Sequence, residues 1–287
     1  MGMRFMGWCF MREVDYNALS NVMMHAVRDA AHGVLRDIGE IENIQRRHKG
    51  LRSYTTHAWQ RVAKSLVEAL SRARPAFGLV IRGQPYRKGE AQDEWIIDPI
   101  NGFTNFCRGV AHCALSVACR HGEDIVACVL YDVVRGELFR AVKGRGSFCE
   151  SKRIRMERGR PWPESMLAMG GASMLSMARL SQQTPSTAPS PVMPHLRHTG
   201  ADAIDMAWSA CGRYDGYVGV CVPFASVASG MLLVREAGGL VHMSPVSSSQ
   251  YARHRSSHLR ERGAYCTIVA GTPECYRRVM DMMATMD

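Results

Sequence analysis

The chain has 287 residues, with 36 Lys and Arg against 26 Asp and Glu, for a formal net charge of +10. Hydrophobic residues at 46% and charged residues at 22% are the composition of a folded protein, not of a disordered segment. No apolar run approaches the ~18 residues that span a bilayer, and Met1 to Arg12 lacks the apolar stretch of a secretory signal, so membrane-spanning and secreted classes are set aside.

Of the 36 basic residues five are lysine, and the remaining 31 are arginine. Arginine is the better fork for phosphate and RNA, although Arg-rich coding produces the same count without a function. The ten cysteines form no C-x-x-C pair and lie mostly in apolar stretches such as Ala111 to Cys119. They read as small hydrophobes of a reducing cytoplasm, with no disulfide partner and no zinc site.

In chain order, apolar residues at three- and four-residue spacing predict an amphipathic helix from Asp15 to about Gly39, with Asp15 as its N-cap. A basic link through Arg46, Arg47, Lys49 and Arg52 precedes a second helix, about Thr56 to Arg74, which Pro75 ends. Strand-like runs follow at Gly78–Ile81, Trp95–Asp98, Cys113–Arg120, Ile125–Asp132 and Glu137–Val142. The breakers His121-Gly122 and Arg135-Gly136 between them predict an antiparallel sheet. Ser181 to Pro194 is rich in Pro, Ser and Thr and reads as a flexible linker between a 1–180 lobe and a 195–287 lobe. Then come a helix (Asp202–Cys211), a strand (Gly216–Val220), a helix (Val227–Ala237) and a strand (Leu240–Met243). A loose basic insertion, Val246–Gly263, precedes a last strand (Thr267–Ala270) and a helix from Pro273 to about Met286. Sheet first and alternating elements later predict an α+β lobe followed by an α/β lobe.

The run Trp95-Ile-Ile-Asp98-Pro-Ile-Asn101-Gly-Phe103-Thr-Asn105-Phe106 resembles the W-[IV]-[IV]-D-P-[IL]-D-G-T-x-N-F motif of the inositol monophosphatase family. Further blocks agree in order: Val129-Leu-Tyr-Asp132 with Gly136-Glu-Leu-Phe139, then Gly200-Ala-Asp-Ala203 with Asp205, then Leu232 to Gly239, then Ile268 to Gly271. The resemblance spans nearly the whole chain and is strongest to the bacterial SuhB branch. It implies a layered αβαβα sandwich, a cytoplasmic homodimer, and Mg²⁺ ions held by carboxylates that activate water against a phosphate monoester. For the SuhB branch it also implies a scaffold role with RNA polymerase and Nus-type partners.

Carried over position by position, the resemblance places Asp98 and the Ile100 carbonyl among the metal ligands, with Asn101 where the family has a second aspartate. Ser226 falls where a further aspartate ligand belongs, Gln84 in the G-E-E-S glutamate region, and Ser53 at another acidic position. The water-positioning threonine and its aspartate partner align with Phe103 and Trp59. Gly102, Gly200, Ala201 and Gly219 take substrate-binding positions, Gly219 replacing a glutamate. One carboxylate and one amide make a poor cage for a cation that dehydrates reluctantly. The expectation is therefore a degraded phosphatase site on a scaffold. The alternatives are a working enzyme whose site is rebuilt from Glu90, Asp93 and Glu94, and a metal-free phosphate sensor using Lys49 or Arg82. Basic clusters at residues 46–52, 152–160 and 253–262 are candidate RNA phosphate contacts.

Overall fold

The computed structural model describes residues 15–46, 51–156, 159–171, 173, 193–246 and 265–284. Helix α1 (Tyr16–Arg46) is capped by Asp15, whose Oδ1 accepts the amide of Asn17 at 2.9 Å. It continues seven residues beyond the expected end at Gly39. Gly39 lies on the exposed face, and buried Val34 and Ile41 carry the apolar stripe past it. Burial of that stripe outweighs the ~1 kcal/mol that an interior glycine costs. Helix α2 (Leu51–Ala73) starts earlier than expected and stops ahead of Pro75. Buried Asp37 of α1 accepts hydrogen bonds from Tyr54 Oη at 2.8 Å and Arg61 Nη2 at 2.7 Å, which pins the two helices together.

Seven strands form the first sheet in sequence order: β1 (Gly78–Ile81), β2 (Asp93–Asn101), β3 (Ala114–His121), β4 (Asp124–Asp132), β5 (Glu137–Val142), β6 (Gly146–Cys149) and β7 (Lys152–Ile154). All neighbours are antiparallel, as expected, except β1 and β2, which are parallel. After β1 the chain turns at Ile81–Gln84 and runs back beside it, bridging Leu79 to Arg87, before entering β2 in the original direction. That return needs Gly89, where a Cβ would fall 2.3 Å from the Gly78 amide nitrogen. A short helix, α3 (Phe103–Arg108), leaves the end of β2.

The second sheet has the order β11-β12-β10-β8-β9 and is mixed. Its strands are β8 (Met166–Gly171), β9 (His195–Arg197), β10 (Gly216–Pro223), β11 (Leu240–Pro245) and β12 (Tyr265–Gly271). It thus draws β8 from ahead of the 181–194 segment and the other four from beyond it; residues 181–192 and 247–264, within the two expected loose segments, lie outside the described residues. Helices α4 (Asp202–Ala210) and α5 (Phe224–Glu236) lie between the sheets, and α6 (Pro273–Ala284) covers the outer face of the second.

Period-2 alternation builds the layers. Trp95 and Ile97 of β2 face α1 and α2, while Ile96 faces the opposite core with Val227 and Leu233 of α5. Tyr217, Ile268 and Ala270 meet α4 and α5 from the second sheet, and Val218 and Val269 turn outward to Val279 of α6. The order is helix, sheet, helix, sheet, helix, the αβαβα sandwich expected. Cys113, Cys119, Cys128, Cys266 and Cys275 are buried free thiols, and burial pushes Cys113, Cys266 and Cys275 up to about 12. Such thiols pack as hydrophobes.

Candidate functional site

Of the residues singled out in the sequence, Asp98, Asn101, Ser226 and Arg82 gather where β2 ends. Asp98 is fully buried, and the ladder to β3 shifts register between Asp98 and Asn101, which accommodates Pro99 inside a strand. Three side chains converge on one carboxylate oxygen. Asp98 Oδ2 accepts Asn101 Nδ2 at 2.9 Å, Ser226 Oγ at 2.8 Å and the Arg82 Nη1 at 3.5 Å. Each comes from a different element: the end of β2, the first turn of α5, and the turn after β1. Asn101 is held in this orientation because its Oδ1 accepts the Ala203 amide at 3.0 Å, so its nitrogen must face Asp98. Asp98 Oδ1 is buried with no partner among the described residues.

Arg82 occupies the corner of the Ile81–Gln84 turn, its amide bound to the Ile97 carbonyl and Gly83 beyond it at φ 76°. The charge of Asp98 holds its guanidinium protonation above the ordinary value, against the opposing effect of burial. Gln84 closes the same turn through its backbone. Trp59 on α2 and Phe103 at the start of α3 are partly buried against the core shared by α1, α2 and the first sheet. Where the resemblance puts a hydroxyl and a carboxylate, the structure has two apolar side chains. Ser53 is exposed on α2, its Oγ 3.4 Å from His57 Nδ1, and Lys49 lies outside the described residues.

Asp93 and Glu94 are committed elsewhere, and Glu90 is exposed ahead of β2. Asp93 pairs with His121 at 3.1 Å, and Glu94 binds Arg120 and Tyr86. Five residues of extended strand place Asp93 roughly 16 Å from Asp98. Among the described residues no three His, Cys, Asp or Glu side chains gather so as to hold a metal ion.

The motif's Asn105 acts as a clip. Its Nδ2 donates to the Thr199 carbonyl at 2.8 Å and the His112 carbonyl at 2.9 Å, fixing the loop ahead of α4. Gly200 in that loop has φ 79°, and Ala201 is buried at the N-cap of α4. Gly102 at φ 77° packs against the His112 carbonyl and Ala201.

Sequence reasoning passed over a second acidic group. Tyr217 Oη donates to Asp202 Oδ1 at 2.7 Å, and Gly170 and Gly219 pack against the pair. A Cβ at Gly219 would stand 2.7 Å from Tyr217 Oη, and one at Gly170 would stand 2.1 Å from it. The available signal was an aspartate opening an alanine-rich helix, together with two glycines inside strands. Burial pushes the Asp202 carboxyl up to about 6; its Tyr217 bond opposes this rise, the Asp205 charge adds to it, and Arg82 opposes it.

Between 3.8, the ordinary value, and about 6 the folded state binds more protons than the unfolded chain, so stability falls as pH rises through that window and then levels. Asp202→Asn keeps an acceptor for Tyr217 and removes the titration. It is expected to be about 1–3 kcal/mol more stable than the parent at about pH 8 and equal to it at about pH 3. Urea unfolding at the two pH values checks this, and equal stability at both would show that Asp202 is solvated.

A profile of the inositol monophosphatase family matches residues 11–263. An inositol-1-monophosphatase of Caulobacter vibrioides is 34% identical over 233 residues, covering 76% of this chain and 87% of its own length. A Nus factor SuhB of Xylella fastidiosa is 32% identical over 221 residues, covering 77% and 80%. The crystal structure of the extragenic suppressor protein SuhB from Bartonella henselae superposes with a TM-score of 0.74 at 29% identity, covering 93% of this chain and 99% of that one. Fold, motif order and these likenesses agree: the chain belongs to the inositol monophosphatase family.

Proposed function

We propose that this chain keeps the family's fold without its Mg²⁺-dependent phosphomonoesterase chemistry and serves as a cytoplasmic scaffold connected with transcription. The convergence on Asp98 Oδ2 carries the reading. Metal ligation needs lone pairs directed at one point, whereas Asn101, Ser226 and Arg82 direct hydrogens there. A dication about 4 Å from a guanidinium is opposed by roughly 8 kcal/mol at an effective dielectric of 20. The described residues therefore do not fit Mg²⁺, and no catalytic step is derived through it.

With excess Mg²⁺ or Mn²⁺, the purified protein is expected to release no phosphate from inositol phosphates or glycerol-2-phosphate above a metal-free blank. Metal-dependent turnover that Asp98→Ala abolishes would overturn the proposal and leave the family's phosphatase reading in its place. The sensor alternative is disfavoured because Arg82 is already committed to Asp98.

The transcription link rests on relatives. Proteins named Nus factor SuhB from Xylella fastidiosa, Pseudomonas aeruginosa and Escherichia coli are 32%, 30% and 28% identical to this chain. The +10 charge suits an assembly containing RNA. Of the three basic clusters, Lys152, Arg153 and Arg155 stand exposed, while Arg160 is taken up by Asp215 at 3.2 Å; most of the other two lies outside the described residues. Immobilised protein should retain purified RNA polymerase with Nus factors after nuclease treatment, as a homodimer by light scattering. Retention that nuclease abolishes counts against a specific scaffold.

A further inference from the structure

We infer that Arg82 is a tethered counter-ion: its guanidinium takes the charge-balancing task that a bound cation would have at Asp98, so that this buried carboxylate is compensated by the chain itself. The inference rests on the metal-free reading above and adds a named residue and a direction of causation to it.

A fully buried carboxylate cannot stay ionised without compensation. Asp98 is fully buried, and the two neighbours supplying its closest hydrogen bonds, Asn101 and Ser226, are uncharged. Among the described residues Arg82 is the cation paired with Asp98, 3.5 Å from its Oδ2, and the same guanidinium also feels the charge of Asp202. Arg82 is the less buried partner, with a third of its side chain exposed, so it reaches Asp98 from the solvent side. Its placement is built in, since the Ile97 carbonyl holds its amide and Gly83 sets the turn. Two neutral ligand positions and one cation thus form a set. Restoring carboxylates alone leaves a positive charge beside the metal position, and removing the arginine alone leaves Asp98 uncompensated.

The test titrates Mn²⁺, read as the free-ion signal by electron paramagnetic resonance, into the full chain and its variants. The parent is expected to bind none at millimolar metal. N101D/S226D is expected to bind at least about tenfold more weakly than R82Q/N101D/S226D, because repulsion by Arg82 is then the remaining obstacle. R82K/N101D/S226D should stay with the weaker class. Equal affinity with and without Arg82, or no binding by the triple variant, would overturn the counter-ion role while leaving the metal-free reading standing. Mn²⁺ binding by the parent that Asp98→Ala removes would instead overturn the metal-free reading itself.

A single variant and one double variant keep the idea open to test if the charged variants do not fold. Arg82→Gln is expected to lower the thermal midpoint, and Asp98→Asn in that background to recover most of the loss. An unchanged midpoint in Arg82→Gln would overturn the role.

Discussion

Trp95→Ala is expected to lower the free energy of unfolding by about 3–5 kcal/mol, the range for emptying a large aromatic from a packed core. Trp95 opens the motif that resembles a catalytic signature, yet it is fully buried, with its ring centroid 5.2 Å from that of Phe77. Its indole Nε1 is buried with no partner among the described residues. Trp95→Phe discards that unpaired donor along with some volume, so it should cost far less than the alanine change. Denaturant unfolding of both variants measures the difference. Similar losses for Phe and Ala would mean that the indole nitrogen is satisfied by water. A loss below about 1 kcal/mol for Ala would show that the surroundings collapse into the vacated space. Since total stability of such a domain is about 5–15 kcal/mol, the alanine variant would lie close to the limit of folding.

Gly102→Ala is the second large effect, at about 2–4 kcal/mol. Its φ of 77° costs a side-chain-bearing residue about 1–2 kcal/mol. The new Cβ would also lie 2.7 Å from the His112 carbonyl oxygen and 3.1 Å from Ala201 Cβ, and such overpacking adds about 1–3 kcal/mol. The neighbouring backbone has little room to give, because Asn105 ties the His112 carbonyl to the Thr199 loop and the Gly102 carbonyl accepts the Phe106 amide at 3.0 Å. The resemblance gives Gly102 a substrate-contacting place, and the geometry gives it the turn from β2 into α3. The urea midpoint separates the two. A variant with parental stability and altered ligand affinity would return the residue to the substrate site.

Much of the fold could be read from the chain because long apolar periods dominate it. The two opening helices, the strands from Gly78 to Val142, and the helices at Asp202 and Phe224 all carry buried stripes too regular to miss. Short elements escaped. Helix α3 is six residues long and hides inside the motif, and β8 has the sequence MLAMGG, whose glycines and methionines give a weak strand signal. The parallel pairing of β1 also escaped, since it depends on a return loop that local pattern does not reveal.

The site divides in the same way. Substituted positions such as Asn101, Phe103 and Ser226 were visible residue by residue. What those residues do together was not visible, because Ser226 meets Asp98 across 128 positions of sequence and Arg82 meets it across 16. Whether a missing carboxylate leaves a gap or a hydrogen bond is a question of three-dimensional placement. Asp202 was overlooked for the same reason: its partner, Tyr217, belongs to another layer.

The packing around Gly219 bears on the order in which such a site can change. Any side chain at that position must first displace the Tyr217 hydroxyl, which is itself anchored on Asp202 and flanked by Gly170. Gly219→Glu is therefore expected to fail as a single substitution while Tyr217 remains. Room for a side chain there requires loss of the tyrosine, which leaves Asp202 without its hydrogen-bond donor. The glycine at 219 and the tyrosine hydroxyl thus exclude any side chain between them, and each position is conditional on the other.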